Sequence, residues 1–141
     1  MYNEILWPVD LNHESSWVKA LPTAVEYAQA FGSRLHVLTI VPDFGLAIVG
    51  SFFPPDFEAK ALAKANQDLH AFVTANVPDS IVVQHVVGHG TVYKEILRVA
   101  ADTSADLILM ASHRPELEDY LLGPNAARVV RHANCSVLVV R

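Results

Sequence analysis

A chain of 141 residues that is 52% hydrophobic and 18% charged is expected to fold as one globular domain with a sizeable core. Its net charge of -5, without a basic run or tail, argues against non-specific binding to DNA, RNA or an anionic membrane. No apolar run approaches the roughly 18 residues that span a bilayer, Met1-Tyr2-Asn3-Glu4 lacks the cationic start of a secretory leader, and the single Cys135 permits no internal disulfide, so a cytoplasmic domain is expected.

The first predicted strand is the apolar burst from Glu4 to Asp10, which ends in an acid. Ser15 or Ser16 is placed to cap a helix running from Trp17 to Phe31 and closed by Gly32, with Pro22 implying a late start or a kink. A buried strand, Arg34 to Val41, follows. The segment after Asp56 predicts a second helix with Leu62, Ala65, Leu69, Phe72, Val73 and Val77 on one face, a 3.6-residue period. Ile81 to Val87 reads as the third strand, and Val92 to Thr103 as a helix directing Val92, Ile96, Val99 and Ala100 inward. Asp106 to Ser112 is the fourth strand, Pro124 to His132 the fourth helix, and the apolar run from Ser136 to Arg141 the last strand.

Nearly continuous apolar strands separated by helices imply a parallel sheet covered on both faces, wound with right-handed crossovers. Ligands in such α/β sheets collect beyond the carboxyl ends of the strands, at the switch point in strand order. The positions to watch are therefore Asp10 to Asn12, Val41 to Asp43, Gly88 to Gly90 and Ser112 to Gly123. Pro8 fits poorly in a central strand, although its place near the strand's exit softens the objection. Two connections are long: loop 42–57, which carries Phe44, Phe52 and Phe53, and the segment from Ser112 to Leu122. Connections of that size act as lids or interaction surfaces, or are disordered.

Three stretches, ILWPVDLNHESSW, VVGHGTVYKEIL and ADLILMASHRPELEDYLLGPNAARVVRHANCSVLVVR, resemble the universal stress protein (UspA-like) family nearly end to end, least through residues 42–80. The ASHRP form is similar to the UspF-like branch. The resemblance implies a doubly wound α/β fold with a five-stranded parallel sheet in the order 3-2-1-4-5, a single domain over residues 1–141, a homodimer, and adenine-nucleotide binding in one large subgroup. That subgroup's signature is Gly, two residues, Gly, nine residues, then Gly followed by Ser or Thr. Here Ala111 replaces the first glycine, the second is missing where Arg114-Pro115 follow His113, and Pro124 stands where the hydroxyl belongs after Gly123.

On that resemblance Pro8, Val9 and Asp10 lie by the adenosine, and the Val41 backbone meets the adenine edge. Gly88 and Gly90 allow close approach to the ribose, while Ala111, Ser112 and His113 line the phosphate side. The start of the last helix, Gly123, Pro124, Asn125 and Ala126, offers backbone N–H groups to phosphate, with Arg114 as a fork. Pro124 removes one N–H and the hydroxyl. A hydrogen bond to a charged group is worth about 1.5–3 kcal/mol, and ~1.4 kcal/mol is tenfold, so the outer-phosphate contact is expected to weaken by about one to two decades. The ligand is then ATP, or AMP or ADP as readily, with Mg2+ accompanying it. The last strand, Val137, Leu138, Val139 and Val140, is expected at a sheet edge and in the dimer interface, and loop 42–57 at a protein partner.

Simpler readings stand beside these. Gly123-Pro124 serves equally as a plain helix start, and Asp10 as a turn or cap residue. Ser112 and His113 are adjacent and do not form a nucleophile–base pair. His85 and His89 are expected to straddle a strand exit and to be structural, and Cys135 lacks a basic partner. No catalytic pair emerges, so at most slow ATP hydrolysis is expected. The alternative function is an interaction module without nucleotide, docking a partner such as a membrane transporter subunit.

Overall fold

The computed structural model describes residues 1–42, 56–112 and 125–141. The strands are β1 (Glu4–Pro8), β2 (Arg34–Pro42), β3 (Val83–Gly90), β4 (Leu107–Ala111) and β5 (Ser136–Val140). The helices are α1 (Ala20–Phe31), α2 (Phe57–Asn76), α3 (Val92–Asp102) and α4 (Ala126–His132). All pairings are parallel and the order is β3-β2-β1-β4-β5, the doubly wound arrangement expected.

Side-chain alternation divides the core into two layers. Ile5, Trp7, Leu35, Val37, Leu107 and Leu109 face α1 and α2, while Leu6, Leu38, Ile40, Ile108 and Met110 face α3 and α4. Because both sheet faces are covered, the central strands are apolar at nearly every position. Helix α1 presents Ala20, Ala24 and Ala28, three small side chains spaced four residues apart that let it lie close on the sheet. In α3 the buried set is Val92, Ile96, Val99 and Ala100, the face that the periodicity picks out.

Several boundaries differ from the sequence reading. Helix α1 starts at Ala20, not Trp17, so Pro22 falls in the first turn, where N–H groups have no intrahelical partner. Gly32 closes the helix as expected, with φ 62 and its N–H donated to the Ala28 carbonyl. Strand β3 runs three residues further, because Gly88, His89 and Gly90 continue the ladder against Ile40, Val41 and Pro42. Helix α4 starts at Ala126, with Asn125 as its N-cap. Pro8 ends the central strand at its exit, and the Val9 N–H resumes the ladder by donating to the Leu38 carbonyl at 2.8 Å.

The β1–β4 register is short, covering Ile5↔Leu107 and Leu6↔Ile108, whereas β1 and β2 pair from Glu4↔Arg34 to Pro8↔Leu38. The sheet therefore parts between β1 and β4 toward its carboxyl edge. Strand order reverses at this same seam. At the opposite edge a polar row ties three strands together. His36, 2% exposed, meets Glu4 Oε2 through Nε2 at 2.6 Å and Gln84 through Nδ1. No described helix is long and apolar enough to cross a membrane.

Candidate functional site at the carboxyl edge of the sheet

Asp10 follows β1 directly and is 2% exposed. A buried carboxylate needs partners. Its Oδ1 accepts the Asn12 N–H at 3.1 Å, closing an Asx turn, and Oδ2 meets His13 Nδ1 at 2.9 Å. The main chain of Asp10 is held by Ser16, which is 1% exposed. The Asp10 N–H donates to Ser16 Oγ at 3.1 Å, and the hydroxyl proton lies between the carbonyls of His13, at 2.7 Å, and Asp10, at 2.9 Å. Ser16 thus sits in a short 3-10 turn, Glu14–Ser16, and fixes the turn after β1 instead of capping a helix.

Above Asp10 opens a cleft of about 280 Å³, floored by the ends of β1 and β2 and walled by α2. Asp10, Asn12, Thr39 and Val41 come from the sheet side, and Ala61, Lys64, Ala65 and Asp68 from the helix. Ala61 and Ala65 are one turn apart, and their small side chains leave the space between helix and strands open. Lys64 and Asp68 pair at 2.9 Å on the exposed rim. Asp10 and Val41, which the sequence reading placed together, do share this cleft.

Gly88 and Gly90 lie at the end of β3, opposite Ile40 and Pro42, and do not line it. A Cβ on Gly88 would stand 3.2 Å from Glu95 Oε1, 3.4 Å from Ile40 and 3.5 Å from Leu38. What the missing side chain admits here is the protein's own carboxylate. Glu95 accepts the His89 N–H at 3.2 Å and is clamped by Arg98, Nε to Oε2 at 2.8 Å and a second guanidinium nitrogen to Oε1 at 3.0 Å. That hydrogen bonding holds its carboxyl below the usual range against the opposing pull of burial. Gly90 has φ 127, which favours glycine, and turns the chain from β3 into α3.

Ala111 ends β4, buried and paired with Val140, and the Ser112 N–H donates to the Val140 carbonyl at 2.7 Å. Asn125 is the N-cap of α4 with φ -88, and Ala126 is its buried first residue. His113, Arg114, Gly123 and Pro124 lie outside the described residues, as does most of loop 42–57 with Phe44, Phe52 and Phe53.

The histidines expected to straddle a strand exit both lie within β3, on one face by alternation. His85 stacks on His70 of α2 at 3.7 Å between centroids, and His89 Nδ1 meets Glu58 Oε1 at 3.3 Å. Burial, then His70, lower the His85 pKa. Among the described residues no three His, Cys, Asp or Glu side chains are grouped to hold a metal. Burial first, then the Asp106 carboxylate, push the Cys135 thiol up, opposite to an activated thiolate.

The family model described as the universal stress protein family matches residues 1–141. This chain belongs to the universal stress protein family. It is 32% identical to universal stress protein G of Shigella flexneri, over the whole of both chains. Among solved structures it is similar to universal stress protein UspA from Lactobacillus plantarum, with a TM-score of 0.69, 25% identity, and 99% and 98% of the two chains covered. A universal stress protein in complex with cAMP shares the fold at a TM-score of 0.60 and 21% identity, over 99% of this chain and 97% of that one. At the Asp10 cleft of this universal stress protein, two features escaped the sequence reading: the Ser16 brace and the α2 wall. The pair Ala61 and Ala65, one turn apart on a helix whose apolar face begins in earnest at Leu69, is the only sequence signal of that wall.

Proposed function

We propose that this universal stress protein binds an adenine nucleotide at the carboxyl edge of its sheet and acts as a regulator in the stress response. The observation that carries the reading is the cleft over Asp10 and Val41, beyond the carboxyl ends of β1 and β2. That is where α/β sheets of this winding take ligands. Two solved members of the family, one in complex with cAMP and one from Archaeoglobus fulgidus in complex with dAMP, carry adenylates, which supports the same ligand class here.

In this reading the adenine edge meets the Val41 main chain, the ribose approaches Asp10 and the turn after Val9, and Gly88 and Gly90 shape the adjoining rim. The phosphates run toward Ala111, Ser112 and the Asn125–Ala126 end of α4, with His113, Arg114, Gly123 and Pro124 completing that side and Mg2+ accompanying a polyphosphate. The protein's role is occupancy, not turnover. Two copies join through β5, an edge strand with β4 on its one paired side. Calorimetric titration with AMP, ADP and ATP tests the reading; no heat with any of the three at millimolar concentration ends it.

A second reading, an interaction module without nucleotide, is favoured by one observation. The Asp10 carboxylate already has both oxygens occupied, by the Asn12 N–H and His13. The two readings separate on melting temperature. A nucleotide at 100 times its dissociation constant adds about 2.7 kcal/mol to the first and nothing to the second.

A further inference from the structure

Helix α4 carries Arg128, Arg131 and His132 at spacings of three and four, which brings them to one flank. Across from them stands Tyr93, in the first turn of α3. Between the two helices lies a cleft of about 490 Å³ lined by Tyr93, Ala127, Arg128, Arg131 and His132. None of these residues belongs to the cleft over Asp10.

Three observations set this place apart. First, among the described residues no carboxylate lines it, in a chain whose net charge is -5. Three other cations are each held by carboxylates: Arg98 lies between Glu95 and Asp102, Lys60 against Asp56, and Lys64 against Asp68. Second, the Arg128 guanidinium is parked 5.2 Å over the Tyr93 ring, and the His132 ring lies 6.3 Å from it at 31°. Tyr93 is therefore a platform that holds a guanidinium ready, so little side-chain freedom is lost when it binds. Third, the like charges of Arg128 and Arg131, three apart on the helix, repel. The helix dipole compensates Arg131 in the last turn, but not Arg128 one turn earlier.

We propose that the Tyr93–Arg128–Arg131 cleft between α3 and α4 is a binding site for a small molecule bearing a diphosphate. Two guanidinium forks on neighbouring turns suit two linked phosphoryl groups, each taking paired N–H donors. The cleft is roomier than a bare diphosphate requires, so the organic part of the ligand has space beside Ala127. Such a ligand relieves the repulsion along α4 and supplies the negative charge that the lining lacks.

The test is calorimetric titration of the whole chain with inorganic pyrophosphate, comparing the wild type with the Arg128→Gln/Arg131→Gln double variant. Both side chains are exposed, so the fold is untouched. Saturable binding that falls by about tenfold or more in the double variant is expected, the loss that follows removal of charge-assisted contacts. Tyr93→Leu, which keeps both charges and loses the platform, is expected to weaken binding by about two- to fivefold. The proposal is overturned if the wild type gives no pyrophosphate heat, or if the double variant binds as tightly, which places the anion at another seat. It is also overturned if a polyglutamate peptide binds more tightly than pyrophosphate, since the flank is then an acidic-peptide surface.

Discussion

Replacing Ser16 with alanine removes one oxygen, and the structure says which group suffers. The two carbonyls that share the hydroxyl proton each keep another donor: Asp10 O receives the His13 N–H at 3.1 Å, and His13 O receives the Ser16 N–H at 2.9 Å. The Asp10 N–H has no such reserve, since its acceptor is Ser16 Oγ itself. The variant therefore leaves one buried donor unsatisfied, which costs about 1–3 kcal/mol. For a chain of this length that corresponds to a fall in melting temperature of about 2–4 °C per kcal/mol. Urea unfolding should show a lower midpoint with an unchanged slope, because the exposed surface on unfolding is the same. On the proposed nucleotide-binding reading, affinity should fall too, as the turn that presents Asp10 to the cleft loosens. A midpoint shift equivalent to less than about 0.5 kcal/mol, the size of an ordinary surface substitution, would refute the idea that Ser16 braces this turn.

Gly88→Ala places a methyl 3.2 Å from Glu95 Oε1, so the carboxylate must give by a few tenths of an ångström and its bond from the His89 N–H is strained; a loss of about 1–3 kcal/mol is expected by thermal unfolding. His85 binds its proton less readily folded than unfolded, because burial and His70 oppose the charge. Folding stability should therefore be full above the ordinary histidine pKa of 6.5 and fall as pH drops through it toward the lowered folded value. His70→Gln should flatten that fall, as read by urea midpoints between neutral and mildly acidic pH, and an identical pH profile would count against the stacked pair. If two copies join through β5 as proposed, Val139→Pro should leave the fold intact and abolish the pairing. Val140 directs its carbonyl to β4, where it accepts the Ser112 N–H, so by alternation Val139 directs its N–H outward, to the edge. Light scattering that still reports a dimer places the interface elsewhere.

The two-faced core was legible because it follows from composition along each element, whereas the strand order came from the family resemblance and not from composition. Apolar strands covered on both faces and the inward face of α3 leave their period in the chain. Tertiary hydrogen bonds were not legible. Ser16 has the residue type and position of a helix cap, and nothing local reveals that its hydroxyl is drawn to Asp10 six residues back. The end of β3 was missed because two glycines read as a turn, whereas pairing with β2 carries the strand through Gly90. Leu62 and Ala65 share a period with Leu69 but are only half-buried, since the first half of α2 walls a cleft and not the core. Asp10 and Val41 converged because each follows a neighbouring strand. Glu95 was invisible as the occupant of the space at Gly88, because the contact depends on how a helix returns over the sheet.

The brief union of β1 with β4 has a mechanical meaning. Bonded at its root and unbonded toward its tip, the sheet resembles a book held at the foot of the spine, and one leaf carries Asp10 while the other carries Ser112. Small rotations of one leaf against the other change the gape at the tip without breaking any rung at the root. Amide exchange should then be slowest at Leu6 and Ile108 and quicken toward Ser112, with a bound molecule at the tip acting as a clasp that slows both leaves together.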